Sequence, residues 1–459
     1  MSVSILRVKP EDVDSVEKRK KYTVSVVGCG RIGVLHACLF AEAGFKVICI
    51  DSDQHMVNCI MKGKAPFFGR GIELVLKDHV KSGDLKATNA MKEAAGKSDI
   101  IAIAASARID GKRKANYFDV ENACKRVGSG LHRGSLVIII GAVGPGIVEG
   151  LVKETLENTS GLEAGAGFGL AFSPTRVFNG QTLEQLENSK RIVAATDKAS
   201  LNAASTVLKA IAKNGVVEAR DVKTVETAAL FEAVHHDVDV ALANEFAVFC
   251  EKLGVDYSEA ERLIEASAGV CSASPAITGG NFRKESYLLL EEAENLNVKL
   301  RTPTVAREMN EEALKHAISL IRQALRSCGK PLRRAKIALL GVSQVPNLKY
   351  PPGASVRQLV KKLAAKGAKV SVYDPYFSSK ELIEMGYPAQ KTLTKVLEGA
   401  HCVAILTGHE RFKRLSLKRL KVMVKMPVAV VDFGCVVKPD KVEKEGFIYR
   451  GLGRGGWTR

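Results

Sequence analysis

The chain has 459 residues, 46% hydrophobic and 26% charged, a globular balance too long for one core and unlike disordered or fibrous compositions. Its ten cysteines show neither CxxC pairs nor metal-ligand spacing, which argues against a disulfide framework and for a reducing, cytoplasmic setting. A formal charge of +18 admits nucleic acid, a membrane surface or anionic ligands as partners. No apolar run reaches the roughly 18 residues that a membrane span requires.

Residues 1–21, ending "VEKRKK", read as a charged N-terminal arm without the apolar segment of a signal peptide. From 22 to 196 the runs "YTVSVVG", "KVICID", "DIIAIAA", "SLVIII", "FGLAFS" and "RIVAA" alternate with helical patterns, which predicts a parallel sheet covered on both faces. Residues 197–330 are almost wholly helical. There "DVKTVETAALFEAVHHDVDVALANEFAVFCEKLG" (221–254) has no Gly or Pro until its end, and predicts one long helix. Strand–helix alternation returns in 331–459 with "KIALLG", "KVSVYD", "HCVAILT" and "PVAVVD". The expected fold is α/β, with two Rossmann-like domains joined by a central all-helical domain.

Much of the positive charge lies in two acid-free stretches, "RQALRSCGKPLRRAK" (322–336) and "RFKRLSLKRLKVMVK" (411–425). Neither interleaves aromatics, so base-stacking platforms are not evident, and nucleic acid ranks last among the partners. A solvated basic face is the ordinary reading of such runs.

"VSVVGCGRIG" places Gly28, Gly30 and Gly33 after a strand and at the start of a helix. The first glycine suits a tight turn, the second a close approach to a pyrophosphate, the third helix–strand packing. Arg31 and Ile32 then open the helix, whose free amides and dipole favour phosphate. The next strand, "KVICI", ends at Asp51, 18 residues after Gly33, where a carboxylate can accept both ribose hydroxyls and repel a 2′-phosphate. The expected cofactor is NAD.

With these motifs, the chain after residue 21 resembles the nucleotide-sugar 6-dehydrogenases, the UDP-glucose, UDP-N-acetylmannosamine and GDP-mannose dehydrogenase family. The segments that carry the resemblance are "GKAPFFGRGI" (63–72), "DGKRKANYFDVENA" (110–123), "DVDVALANEFA" (237–247), "EEAENLNVKLRTPTVAREMNE" (291–311), "VYDPY" (372–376), "ILTGHERF" (405–412) and "YRGLGRG" (449–455). The resemblance implies an NAD domain (22–196), a central domain that makes a homodimer (197–330) and a C-terminal domain for the nucleotide sugar (331–459). It also implies oxidation of a sugar C6 alcohol to a uronate for polysaccharide or glycan synthesis, with two NAD and no metal. The implied nucleophile is a cysteine in a Gly-Gly-x-Cys loop, which captures the intermediate aldehyde.

In "ITGGNFRKESY" (277–287), Gly279 and Gly280 match that loop, but Phe282 holds the place of the cysteine. Cys271 is the nearest thiol and the substitute candidate, although a plain core thiol is its ordinary reading. The resemblance also puts Ala229 and Ala233 where the family has lysine and asparagine, four residues apart on one helix face. Thr175 replaces a glutamate in "FSPTRVFNG", and Pro352 replaces an arginine in "QVPNLKYPPGAS". Thr175, Arg176, Gly279 and Gly280 remain candidates for substrate contact, since arginine suits bidentate anion binding. Asp374 and Arg454 are expected to support the last domain. His235 and His236 point about 100° apart on a helix, a poor geometry for a metal shared with Asp237. Two readings follow: a dehydrogenase with an altered site, or a non-catalytic paralogue that binds NAD or a sugar nucleotide as a regulator or scaffold.

Overall fold

The computed structural model describes residues 4–65, 70–175, 183–268, 273–277 and 285–457. They form two compact units, Met1–Glu232 with Glu285–Lys299 and Ala233–Lys284 with Leu300–Arg459. The division between the units falls inside the long helix.

The first unit is built on an eight-stranded sheet. Its strands are β1 (Thr23–Val27), β2 (Lys46–Ile50), β3 (Leu85–Thr88), β4 (Ile100–Ile103), β7 (Leu136–Ile139), β8 (Gly169–Phe172), β9 (Arg191–Ala195) and β10 (Val216–Glu218). A two-stranded ribbon, β5 (Arg108–Ile109) and β6 (Ala115–Asn116), lies apart from it. The sheet order is β10-β9-β8-β7-β4-β1-β2-β3. From β3 through β1 to β8 the pairings are parallel, the order of a doubly wound dinucleotide fold; β9 runs antiparallel to β8. The strands β4, β7 and β8 are buried at every position, which explains their unbroken apolar runs.

The charged arm joins this unit's core. Ile5, Val8 and Val13 are buried among the residues that pack on β1, and Ser4 Oγ donates to the Gly134 carbonyl at 3.1 Å. Charge dominates the arm's composition, but its widely spaced apolar residues decide its placement.

Helices that position later features are α1 (Arg31–Glu42), α2 (Lys153–Ser160), α3 (Val222–Leu253), α4 (Tyr257–Ala268), α5 (Glu285–Asn295) and α6 (Arg301–Ser327). In the second unit, β11 (Lys336–Leu340), β12 (Lys369–Tyr373), β13 (Cys402–Ile405), β14 (Ala429–Asp432) and β15 (Ile448–Gly451) make a wholly parallel sheet in the order β12-β11-β13-β14-β15. Leu320, Ile321, Ala324 and Leu325 of α6 share the core of that sheet. No helix among the described residues is long and apolar enough to cross a membrane.

Candidate functional site

The turn between β1 and α1 has the geometry a dinucleotide needs. Gly28 has φ +89°, which an L side chain resists, and its N–H donates to the Ile50 carbonyl at 2.8 Å. A Cβ on Gly33 would stand 1.9 Å from the Gly28 carbonyl oxygen, so helix and turn are in direct contact. A Cβ on Gly30 would meet nothing within 4 Å, which leaves open space over the backbone. Gly30 is also the N-cap of α1 and makes no side-chain capping bond. The first turn of α1, opened by Arg31 and Ile32, thus has no side-chain cap and begins beside that open space, the setting in which a helix start takes an anion.

Asp51 sits at the end of β2 as the spacing predicts. Its Oδ2 accepts from Cys29 N–H at 2.7 Å and its Oδ1 from Asp53 N–H at 2.9 Å, which locks the carboxylate against the glycine turn. Beside it opens a cavity of about 230 Å³, lined by Gly28, Asp51, Ser52 and Ala105, and by Asp119, Asn122 and Arg126 from the helix Phe118–Gly128. Asp119 and Asn122 belong to the family-like segment 110–123, and the packing of the helix brings them to this cavity. These residues fit NAD: Gly28, Gly30, Arg31, Ile32 and Gly33 would hold the pyrophosphate, and Asp51 a ribose.

Thr175 lies elsewhere in the unit. Its N–H continues from β8 to the Ile140 carbonyl, and its Oγ1 lies 3.2 Å from Nε2 of the buried His36 on α1. His36 Nδ1 is 2.9 Å from the Ile32 carbonyl, so the proton belongs on Nδ1 and Nε2 accepts. The Arg191 guanidinium approaches the same Nε2 at 3.5 Å. Burial, then the Arg191 charge, push His36 down to about 3, so it stays neutral. Burial pulls Arg191 down to about 10, and its Nε and one Nη have no hydrogen-bond partner among the described residues. Neither His36 nor Arg191 belongs to a recognisable motif. Only the fold brings Arg191 and Thr175 to the same imidazole nitrogen, beside the position where the family resemblance implies a carboxylate.

Ala229 is half-buried and Ala233 buried on α3, and neither offers a proton or a hydrogen bond. Asp237 is 3% exposed and paired with Arg307 at 2.8 Å, with Asn310 Nδ2 donating to it at 2.9 Å. It is thus committed to a structural pair, while His235 is exposed. Arg176, Cys271, Gly279, Gly280 and Phe282 lie outside the described residues. Past that loop, Glu291 of α5 accepts from Ala115 N–H at 2.7 Å, which ties α5 to the β5–β6 ribbon within the first unit.

In the second unit Asp374 is buried after β12 and accepts from Val342 N–H at 2.8 Å and Ser343 N–H at 2.9 Å. Burial alone would raise its carboxyl; the His409 hydrogen bond and these amides outweigh it and hold it below the usual range. Arg454 donates to both oxygens of Asp256, at 2.9 and 2.6 Å. Both residues organise loops, and half-buried Pro352 lies in the segment between β11 and the next helix.

Residues 22–213 match the NAD binding domain of the UDP-glucose/GDP-mannose dehydrogenase family, 223–312 its central domain and 338–439 its UDP binding domain. A UDP-N-acetyl-D-mannosamine dehydrogenase of Pyrococcus horikoshii is 29% identical over 94% of this chain and 99% of its own length. A UDP-glucose 6-dehydrogenase of Rhizobium meliloti is 26% identical over 94% of this chain and 99% of its own. Among solved structures, the UDP-D-ManNAc dehydrogenase from Pyrococcus horikoshii superposes with a TM-score of 0.84 at 28% identity, covering 95% of this chain and 100% of that one.

Proposed function

Because this chain belongs to the UDP-glucose/GDP-mannose dehydrogenase family, we propose that it binds NAD and a UDP-sugar and oxidises the sugar's C6 alcohol. The observation that carries this reading is the uncapped turn of α1 beside Asp51, a cradle for pyrophosphate and ribose. NAD bound there supplies a hydride acceptor. The substrate class is supported by the UDP binding domain and by relatives named for UDP-sugars.

The reading includes a departure. A phenyl ring at 282 cannot add to an aldehyde, and alanines at 229 and 233 remove the family's lysine and asparagine. Oxidation therefore stops after one two-electron step, which leaves an aldehyde and releases one proton. These same substitutions favour the second reading, a paralogue that binds both ligands without turnover. The test follows NADH absorbance and sugar products with a panel of UDP- and GDP-sugars, alongside calorimetry with NAD. Slow formation of one NADH per sugar is expected. Uronate with two NADH per sugar would refute the departure, and tight NAD binding without any NADH would establish the second reading. Phe282→Cys with Ala229→Lys and Ala233→Asn should then raise turnover by several orders of magnitude.

A homodimer through the second half of α3 completes the proposal. Leu242, Phe246, Phe249 and Leu253 recur at helical spacing and are 45–62% exposed, an apolar stripe that suits a matching stripe on a second copy. Phe246→Asp with Phe249→Asp should turn a dimer into a monomer in analytical ultracentrifugation; an unchanged sedimentation coefficient would discard this interface. The free cysteines among the described residues support a reducing cytoplasmic setting.

A further inference from the structure

The two acid-free basic stretches are about ninety residues apart in sequence, yet they meet in the second unit. Lys330 Nζ donates to the Lys425 carbonyl at 3.1 Å and to the Pro427 carbonyl at 3.2 Å. The meeting place is the N-terminal edge of the parallel sheet, where neighbouring strands begin side by side. Lys336 opens β11 in direct register with Lys369, which opens β12. Lys336 N–H also donates to Nδ1 of His401, which precedes β13. Burial, then Lys330, Lys425 and Lys336, lower His401, so these cations converge on one side chain.

Among the described residues, no carboxylate pairs with this charge. Lys330, Lys336, Lys369, Lys421 and Lys425 make no ion pair with any described carboxylate, although Lys413 of the same stretch pairs with Glu410. Two lysines on adjacent strands in register repel each other, an arrangement that an external anion relieves. The face also lies at the sheet end opposite to the one where ligands of open α/β sheets bind, so its occupation leaves the nucleotide crevice clear.

One further observation selects the anion. The helix α7 (Leu417–Met423) carries Val422, 87% exposed, between Lys421 and Lys425. Its last turn is anchored at the same edge, where the Gly399 N–H donates to the Met423 carbonyl at 2.8 Å. A protruding apolar side chain flanked in sequence by lysines fits a bilayer interface, where acyl chains take the valine and anionic headgroups take the cations. A phosphodiester backbone has use for the lysines only, and the two stretches interleave no aromatics that would stack on bases.

We propose that this edge of the C-terminal sheet docks the protein onto an anionic lipid surface. The test is co-sedimentation of the full chain with vesicles of equimolar phosphatidylglycerol and phosphatidylcholine, against phosphatidylcholine alone. Binding to the anionic vesicles only, weakening with salt, is expected. The variant with Lys336→Glu, Lys369→Glu and Lys425→Glu should lose at least about tenfold in partitioning. Val422→Asp, an exposed position that leaves the core intact, should lose severalfold. Thermal melts confirm that both variants fold. Absence of binding, equal binding to neutral vesicles, or full binding by the charge-reversed variant would overturn the proposal. So would binding to duplex DNA in preference to vesicles with Val422→Asp indistinguishable from the parent, which would assign the face to nucleic acid.

Discussion

Gly33→Ala should cost the first unit about 3 kcal/mol, at the upper end of what an overpacked core site loses. The new methyl would stand 1.9 Å from the Gly28 carbonyl oxygen, 3.0 Å from its carbon and 3.5 Å from Val26 Cγ1. The first two are backbone atoms, so no rotamer change relieves the clash; either α1 lifts from β1 or the glycine turn opens. Both movements displace the amides that face the phosphates, so NAD affinity should fall by far more than tenfold. Gly30→Ala is the matched control. Its methyl meets no protein atom within 4 Å, and Gly30 has φ −66°, a value any residue adopts. Thermal stability should stay within about 0.5 kcal/mol of the parent, while NAD affinity drops at least tenfold because the methyl occupies the pyrophosphate's approach. Calorimetry with NAD and thermal melts measure both. A Gly30→Ala protein that binds NAD like the parent would refute the placement of the dinucleotide on this turn.

The second large effect is a pH dependence centred on Glu226. This side chain of α3 is fully buried and accepts from Gly146 N–H at 2.5 Å and Val148 N–H at 2.9 Å. These amides open the helical segment that runs through Val148–Val152 into α2, so Glu226 caps it from another part of the chain. Burial pushes the carboxyl up to about 7; the two backbone bonds hold it down only in part, Glu149 raises it and Lys223 lowers it. A folded-state value above the unfolded one means that the native protein holds the proton more tightly. The resulting stability is fully present below about pH 4.5 and is lost as pH rises through about 7. A shift of this size corresponds to about 3 kcal/mol. Glu226→Gln is neutral at every pH, although its amide keeps one acceptor and sets an NH2 donor against the second backbone N–H. The variant's stability should therefore stay flat with pH, while the parent loses up to about 3 kcal/mol as pH rises from below about 4.5 to above about 7. Parallel stability–pH curves for the two proteins would show that Glu226 does not titrate in this window.

How legible the site was depends on how local each part is. Gly28, Gly30, Gly33 and Asp51 are readable because a tight turn, a helix start and the next strand's end are encoded in one continuous segment of the chain. Thr175 shows the limit. As a polar residue in a family-like segment it reads as a ligand contact, and only the fold shows that its hydroxyl also meets His36, 139 residues earlier. The arm shows a second limit: charged residues of both signs dominate its composition, but Ile5, Val8 and Val13 are buried in the core.

By itself the sequence determined the α/β class, the glycine turn with its acidic partner, and the side chains present at 229, 233 and 282. These rest on local periodicity, backbone freedom and residue chemistry, which travel with the chain. Tertiary structure alone decided that Arg191 faces His36, that Glu226 caps a helix some eighty residues upstream, and that Lys330 reaches Lys425. The reason is geometric: strand order and the packing of helices on a sheet bring together segments separated by long crossovers, so the neighbours of a side chain there are not set by spacing along the chain.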